Sequence, residues 1–370
     1  MKNVTEFVER AGRLQAAGKA YSVATVVKIL GSTYRRPGAR LLVDSRGYNG
    51  MISGGCLEPE VAQQARKLIG GGKPRVLSFD LTEEDPVLGF GTGCSGVVDV
   101  LVEASGDHVI MDLIGRCLKQ RRSGVLAQVI GGRHLGQKLL VTEDGVVAGT
   151  MDPVLSEVAT PLAREVLAGG LSVTRRFCAV DEDIEALFEI VRPPLRLAVF
   201  GTGNDIGPLV HLGQAMGWET IIVGRRAAPE LAKQFPNADR HVFLMHPEKA
   251  LQFVELDRRT AAVVMNHNYV RDRTLVGVLL KSAAFYVGAL GPRDRTMRIR
   301  SELVAQGDVT DAHFEQLHGP VGLDIGTETP EEIALAIVAE IQAVSAARSG
   351  GMLRDRAGAI HDTVGPADMS

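Results

Sequence analysis

One pattern, present twice before Pro193, limits the fold of this chain more than any other feature. A strand (Val23 to Ile29), a second strand (Ala39 to Asp44), a turn at Ser45-Arg46-Gly47, a third strand (Tyr48 to Ser53) and a helix (Leu57 to Ile69) follow one another. The same succession returns as Val125 to Ile130, Gln137 to Thr142, Glu143-Asp144-Gly145, Val146 to Met151 and Val154 to Leu167. Leu41-Leu42-Val43 answers Leu139-Leu140-Val141, and Gly47 answers Gly145. A further pair of strands follows each helix, ending with Val97 to Glu103 and Ala186 to Val191. Short apolar runs separated by glycine turns read as hairpins. The expectation is an internally duplicated α+β domain over residues 1–191, with copies at about 20–104 and 122–191.

A repeat carries its own control: what both copies share is scaffold, and what one copy adds is a candidate for function. The first copy alone has Gly31-Ser32-Thr33-Tyr34-Arg35-Arg36-Pro37-Gly38. It alone has Ser53-Gly54-Gly55-Cys56, where the second copy has Met151-Asp152-Pro153-Val154. It alone has Gly89-Phe90-Gly91-Thr92-Gly93-Cys94-Ser95-Gly96.

Arg192-Pro193-Pro194 marks a linker, because two prolines neither continue a helix nor sit inside a sheet. From residue 195 to 347 the pattern changes to strands alternating with helices: Arg196 to Phe200, Thr220 to Val223, His241 to Met245, Ala261 to Met265 and Phe285 to Leu290. That alternation predicts a doubly wound parallel sheet, and an α/β protein as a whole. Thr329-Pro330-Glu331-Glu332 opens the last helix with a capping box, and Asn3 and Glu6 have the same spacing at the first. Residues 348–370 are expected to form a flexible tail.

With 370 residues, 45% hydrophobic and 23% charged, and a net charge of -3, the chain has the balance of a soluble protein of two or three domains. No broad basic field favours nucleic acid as a partner. The first residues lack the uninterrupted apolar core of a secretion signal and no apolar run is long enough for a membrane span, so neither is expected. Cysteines at 56, 94, 117 and 178 have no CxxC spacing, so free thiols in a reducing cytoplasm are the expectation.

Gly201-Thr202-Gly203-Asn204-Asp205-Ile206-Gly207 follows a strand and opens a helix, where backbone N–H groups can hold a phosphate. A tight turn without ligand is the alternative. An NAD site would place an acid at the end of the second strand; Gly224-Arg225-Arg226 stands there and favours NADP if either dinucleotide binds. His267, in Asn266-His267-Asn268 at another strand end, is an acid, a base, a metal ligand or a group that holds the next loop. Arg293 and Arg295 open a helix, where cations are disfavoured, and so point to an anion or to salt bridges.

In the first domain Cys56 precedes a helix, a position that promotes thiol reactivity. Cys94 lies in a second glycine-rich loop, and Arg35 and Arg36 bring positive charge. If the three loops meet, two sulfurs suited to a soft metal or to sulfur transfer flank an anion pocket. Two ordinary buried cysteines are the alternative, and inert packing is expected for Cys117 and Cys178.

Gly31 to Gly38 with Ala39-Arg40, Ser53-Gly54-Gly55-Cys56-Leu57-Glu58 and Gly91-Thr92-Gly93-Cys94 resemble the amino-terminal domain of the XdhC/CoxI family. Gly201 to Asp205, Met265 to Asn268, Tyr286 to Gly291 and Gly319-Pro320-Val321-Gly322-Leu323-Asp324-Ile325-Gly326 resemble its carboxyl-terminal Rossmann domain. Three positions depart from the family pattern: Asn204 where His is common, Arg225 where Asp is frequent near Gly224, and Ser95 where Gly is common.

The resemblance implies an accessory factor of xanthine dehydrogenase. Such a factor binds molybdenum cofactor (molybdopterin or its dinucleotide), supports exchange of an oxo ligand for sulfur with a cysteine desulfurase, and delivers the product to an apo molybdenum hydroxylase. A homodimer is the expected assembly. Cys56 and Cys94 are then the reactive, metal-facing residues. Arg35, Arg36, Gly54, Gly55, Gly91, Gly93, Gly201, Gly203, Asn204, Asp205, Gly207, Arg225, His267 and Arg293 are the cofactor-binding candidates. The rival readings are an NADP-dependent oxidoreductase and a nucleotide-sensing regulator acting through the Arg293 helix.

Overall fold

The computed structural model describes residues 2–31, 33–81, 96–105, 108–179, 181–307 and 309–357, which divide into two units at Pro193 and Pro194. In the first unit α1 (Lys2–Ala16) precedes β1 (Ser22–Gly31), β2 (Arg40–Asp44), β3 (Gly47–Gly50), α2 (Glu58–Arg66), β4 (Arg75–Asp80) and β5 (Gly96–Ala104). The strands form an antiparallel sheet in the order β3-β2-β1-β5-β4. Next come α3 (His108–Lys119), β6 (Gly124–Val129), β7 (Lys138–Thr142), β8 (Val147–Gly149), α4 (Pro153–Gly169), β9 (Val173–Ala179) and β10 (Glu182–Val191). Their order, β8-β7-β6-β10-β9, is the first sheet's order again.

Side chains alternate across each sheet. Ala24, Val26, Leu41 and Val43 pack with Val61 and Ala65 of α2, as Ala127, Leu139 and Val141 pack with Leu155 and Ala159 of α4. On the opposite faces Val23 and Leu42 meet Phe7 and Ala11 of α1, while Leu126 and Leu140 meet Ile110 and Ile114 of α3. The repeated unit therefore includes a leading helix that the strand pattern alone did not reveal.

The two sheets join through Val27 and Leu101 of one and Ile130 and Leu187 of the other. Reciprocal ion pairs flank this cluster. Arg40, at the start of β2, pairs with Glu189 of β10, and Lys138, at the start of β7, pairs with Glu103 of β5 at 2.7 Å. In register, Val23 faces both Leu42 and Glu103, and Leu126 faces both Leu140 and Glu189, so the two pairs are equivalent under an approximate twofold. Two glycines are equivalent as well. A Cβ at Gly50 would lie 2.2 Å from the Arg40 carbonyl oxygen, and one at Gly149 2.1 Å from that of Lys138, so both third strands need glycine there.

The second unit is a parallel sheet of β11 (Arg196–Phe200), β12 (Glu219–Gly224), β13 (Arg240–Phe243), β14 (Thr260–Val264), β15 (Tyr286–Ala289) and β16 (Leu317–His318), in the order β13-β12-β11-β14-β15-β16. Between and after these strands run α5 (Ile206–Ala215), α6 (Ala228–Gln234), α7 (Ala250–Phe253), α8 (Tyr269–Leu279), α9 (Arg293–Ala305) and α10 (Pro330–Ser345). Ala198 and Phe200 face the core under α8 and α9, and Leu197 and Val199 face that under α5 and α10. A parallel sheet with both faces covered explains the unbroken apolar strands. The chain leaves β11 toward β13 and returns to β14, so the order reverses between β11 and β14, where such sheets open a crevice.

The α/β class and the doubly wound sheet agree with expectation, and several details differ. The two-residue β16 was too short to be seen in the pattern. The second helix of the first copy is Glu58–Arg66 rather than Leu57 to Ile69, because Lys67, Leu68 and Ile69 bond three residues back in tighter turns before Gly70, Gly71 and Gly72 adopt positive φ. The first helix already includes Lys2, so Asn3 is not its cap. The tail contains a one-turn 3-10 helix at Leu353–Asp355. No helix among the described residues is long and apolar enough to cross a membrane.

Candidate functional site

In the first unit the chain leaves β3 and enters α2 through Ser53-Gly54-Gly55-Cys56-Leu57. Glu58, only 3% exposed, holds this loop from beneath. Its Oε1 accepts from the N–H groups of Ile52 (3.0 Å) and Ser53 (2.8 Å), and its Oε2 accepts from the Ser53 hydroxyl. Ser53 Oγ in turn accepts from the N–H groups of Gly55 and Leu57. Burial raises the Glu58 pKa, but the bonds from Ser53 and Ile52 outweigh it and hold the carboxyl below its ordinary range.

The lock leaves Gly54 and Gly55 exposed and sets Cys56 half-buried against the core under α2. Gly55 has φ +112, a conformation open to glycine. The Gly31 to Gly38 loop comes alongside, since a Cβ on Gly54 would meet the Tyr34 ring at 3.9 Å. In that loop Arg36 is exposed, whereas Arg35 is half-buried and its Nε is sealed from solvent without a hydrogen-bond partner among the described residues. The third loop, with Gly91, Gly93 and Cys94, lies outside the described residues. Its described flanks meet at the first: Leu81 N–H donates to the Gly96 carbonyl, and Gly96 pairs with Gly31.

In the second unit Gly201 to Asp205 occupies the crevice at the switch point. A Cβ at Gly201 would fall 2.3 Å from the Met265 carbonyl oxygen, and one at Gly203 2.1 Å from Asp205 Oδ1. Asp205 stands at the head of α5, and its Oδ2 lies 3.2 Å from His267 Nε2. His267 is held at φ +56, rare for a side chain of its size and frequent at functional sites. Asn266 Nδ2 bonds the Phe200 carbonyl and Asp272, tying the ends of β11 and β14 together.

A cleft of about 570 Å³ opens beside His267, lined among others by Tyr269, Leu290, Arg295, Val321 and Thr327. Between the lining residues Val321 and Leu323, the Gly322 N–H donates to Glu340, which also accepts from His318 and Tyr286. Burial pushes the Glu340 carboxyl up, and those three bonds bring it below its ordinary range.

The structure thus brings the Gly31 to Gly38 loop, through Tyr34, beside Gly54 of the Ser53 to Cys56 loop in one unit, and joins Gly201, Gly203, Asp205 and His267 in the other. The remaining candidates lie elsewhere or have other partners. Arg295, which lines the cleft, is bonded to the buried carboxylate of Asp272 and to the Leu290 carbonyl, so the salt bridge is the one of its two expected uses that is seen. Arg293 is exposed and does not line the cleft. Gly207 has open space around a would-be Cβ. Exposed Asn204 accepts from Gln234, which also bonds Thr202 and Arg226. Arg225 is exposed at the end of β12.

Cys117 is buried, and burial, with Glu143 and Asp144, raises its thiol to about 11; Cys178, expected to be packed, is exposed. Among the described residues no group of three or more His, Cys, Asp or Glu could hold a metal ion. Glu58 escaped the sequence reading as a site residue because its separation from Ser53 is longer than that of a capping box.

Residues 197–341 match the XdhC Rossmann domain, and residues 14–80 match the XdhC and CoxI family. The chain is 31% identical over 323 residues to a probable xanthine dehydrogenase subunit from Bacillus subtilis, spanning 86% of this chain and 91% of that one. It is 23% identical over 331 residues to the molybdenum cofactor insertion chaperone PaoD of Escherichia coli, spanning 89% and 84%. Among solved structures it is similar to a xanthine dehydrogenase from Bacillus halodurans, with a TM-score of 0.73 and 27% identity over 92% of this chain and 96% of that one.

Proposed function

The chain belongs to the XdhC and CoxI family, and from that premise we propose that it is a maturation factor for molybdenum hydroxylases. It takes molybdenum cofactor as cargo and passes it to an apo-enzyme of the xanthine dehydrogenase kind. Two relatives, one named for xanthine dehydrogenase and the other for cofactor insertion, support this role.

The observation that carries the reading is the Ser53 to Cys56 loop, locked by Glu58 and present in one copy of the repeat only. It offers a soft sulfur, two exposed glycines that let a ligand approach the backbone and, in the adjoining loop, an arginine whose Nε has no partner among the described residues. That donor set fits a phosphorylated dithiolene cargo. Cys56 is the group that meets the metal end or the incoming sulfur, and a cysteine desulfurase is the sulfur donor. Cys94 is proposed as its second thiol.

An NADP-dependent oxidoreductase is the weaker reading. A dinucleotide needs the second glycine of its loop to meet the pyrophosphate, and here the Asp205 carboxylate lies against Gly203.

Mixing the purified chain with molybdenum cofactor and separating by gel filtration tests the proposal. Molybdenum is expected to co-elute with the wild-type chain and to be lost or much reduced with Cys56→Ala. No co-elution, or equal retention by the variant, would remove the role given to this loop.

A further inference from the structure

A pocket of about 250 Å³ lies in the first unit at the far end of β2 from the glycine loops, lined among others by Arg10, Arg13, Lys19, Asp44 and Arg46. Four cations there face one carboxylate. Arg10 lies 3.6 Å from Asp44, and its Nε is buried without a hydrogen-bond partner among the described residues. Asp44 is already engaged by the N–H groups of Arg46 and Gly47. Among the described residues Arg13, Lys19 and Arg46 have no acidic partner.

The second copy shows what this place looks like when it serves the scaffold alone. Lys19 lies as far ahead of Val23 as Arg122 lies ahead of Leu126, and Arg46 lies as far beyond Leu42 as Asp144 lies beyond Leu140. In the second copy these positions hold an ion pair, Arg122 with Asp144. In the first copy the same positions are both cationic. Charge complementarity has been replaced by repulsion at a site where the fold demonstrably accepts an acid, and two more arginines add to the excess. Cations at the end of α1 suit its dipole, which accounts for Arg13. The dipole does not account for Arg46, which belongs to the hairpin.

We propose that this pocket is an anion site for a phosphate-class oxyanion, which supplies the negative charge that Asp144 supplies in the second copy. Guanidinium groups from a helix and from a hairpin around a small concavity suit a compact, multiply charged oxyanion. The inference is independent of the role given to Cys56.

Calorimetric titration of the full chain tests it, with inorganic phosphate as the bare oxyanion and adenosine monophosphate as the same group on an organic carrier. Saturable binding of phosphate is expected, weakened at least about tenfold by Arg46→Asp, in keeping with loss of a charge-assisted bond. Tighter binding of the nucleotide would identify an organic phosphate as the ligand, and equal binding the free oxyanion. Arg46→Asp restores the second copy's pattern and is expected to fold. Lys19→Glu, which creates the opposite ion pair with Arg46, should weaken phosphate equally without loss of thermal stability. No saturable binding by the wild-type chain, equal binding by both variants, or the same heat from chloride at matched ionic strength would overturn the proposal.

Discussion

The two copies of the first unit share strand order, leading helix, buried faces and even the glycine that passes beneath β2 or β7, yet they enter their second helices differently. The second copy uses Asp152 as an N-cap, its side chain accepting from Val154 N–H, with Pro153 at the first position. This is an ordinary helix start that exposes nothing reactive. The first copy spends a buried acid, Glu58, on holding an irregular loop in which two glycines are exposed and a thiol is half-buried. A scaffold in duplicate leaves one copy free to depart from economical local structure, and the departures mark where function was added.

The largest test of the comparison breaks the symmetry between the sheets. Glu189→Gln leaves the Arg40 guanidinium buried without its counter-charge and should lower stability by about 3–5 kcal/mol in urea denaturation. Glu103→Gln removes the equivalent charge from Lys138, but Glu103 has more contact with solvent, and a loss of roughly 1–3 kcal/mol is expected. Equal losses would show that the pairs are interchangeable.

The helix entries come next. Glu58→Gln should cost roughly 1.5–3 kcal/mol, as expected for hydrogen bonds to a buried charge. Asp152→Ala should cost about 1 kcal/mol, the worth of a surface cap. The first loss should also depend on pH. Because the folded-state pKa of Glu58 lies below its ordinary value of 4.5, its contribution is present above that value and fades as the pH falls through the folded value. The difference between wild type and Glu58→Gln should therefore narrow in acid. If Asp152→Ala proves the more harmful, the first-copy loop is not held as described.

Much of this was legible in the residues. Leu41-Leu42-Val43 and Leu139-Leu140-Val141 exposed the repeat because strands covered on both faces are apolar throughout and the same run recurs before each turn, and Thr329 and Glu332 form the capping box that their spacing implies. Phe7 and Ile110 did not betray the leading helices as equivalent, since a buried helix face fixes only size and apolarity. Arg40 with Glu189 was invisible for another reason: the partners lie on different sheets, and an ion pair across such a distance leaves no local pattern. The candidate site divides the same way. Cys56 and Gly203 sit in loops whose composition is itself the signal. The use of Arg295 on Asp272, by contrast, depends on a tertiary contact, and position alone did not choose between an anion and a salt bridge.

The smallest effect concerns the hairpin turns, where the copies exchange the places of their acids. In the first copy Asp44 bonds the turn's own N–H groups, which leaves position 46 free to be arginine. In the second copy the Thr142 hydroxyl accepts from Val146 N–H and also bonds Asp144, whose carboxyl is thereby held below its ordinary range. The hydroxyl contributes more to that depression than Arg122 does. Thr142→Val should therefore raise the Asp144 pKa, followed by NMR, by more than Arg122→Ala, and neither change should disturb the glycine loop of the first copy. The reverse ranking would mean that the Arg122 ion pair organises the turn. In that case the absence of any such pair between Lys19 and Arg46 would leave the first hairpin's order to depend on the anion proposed for its pocket.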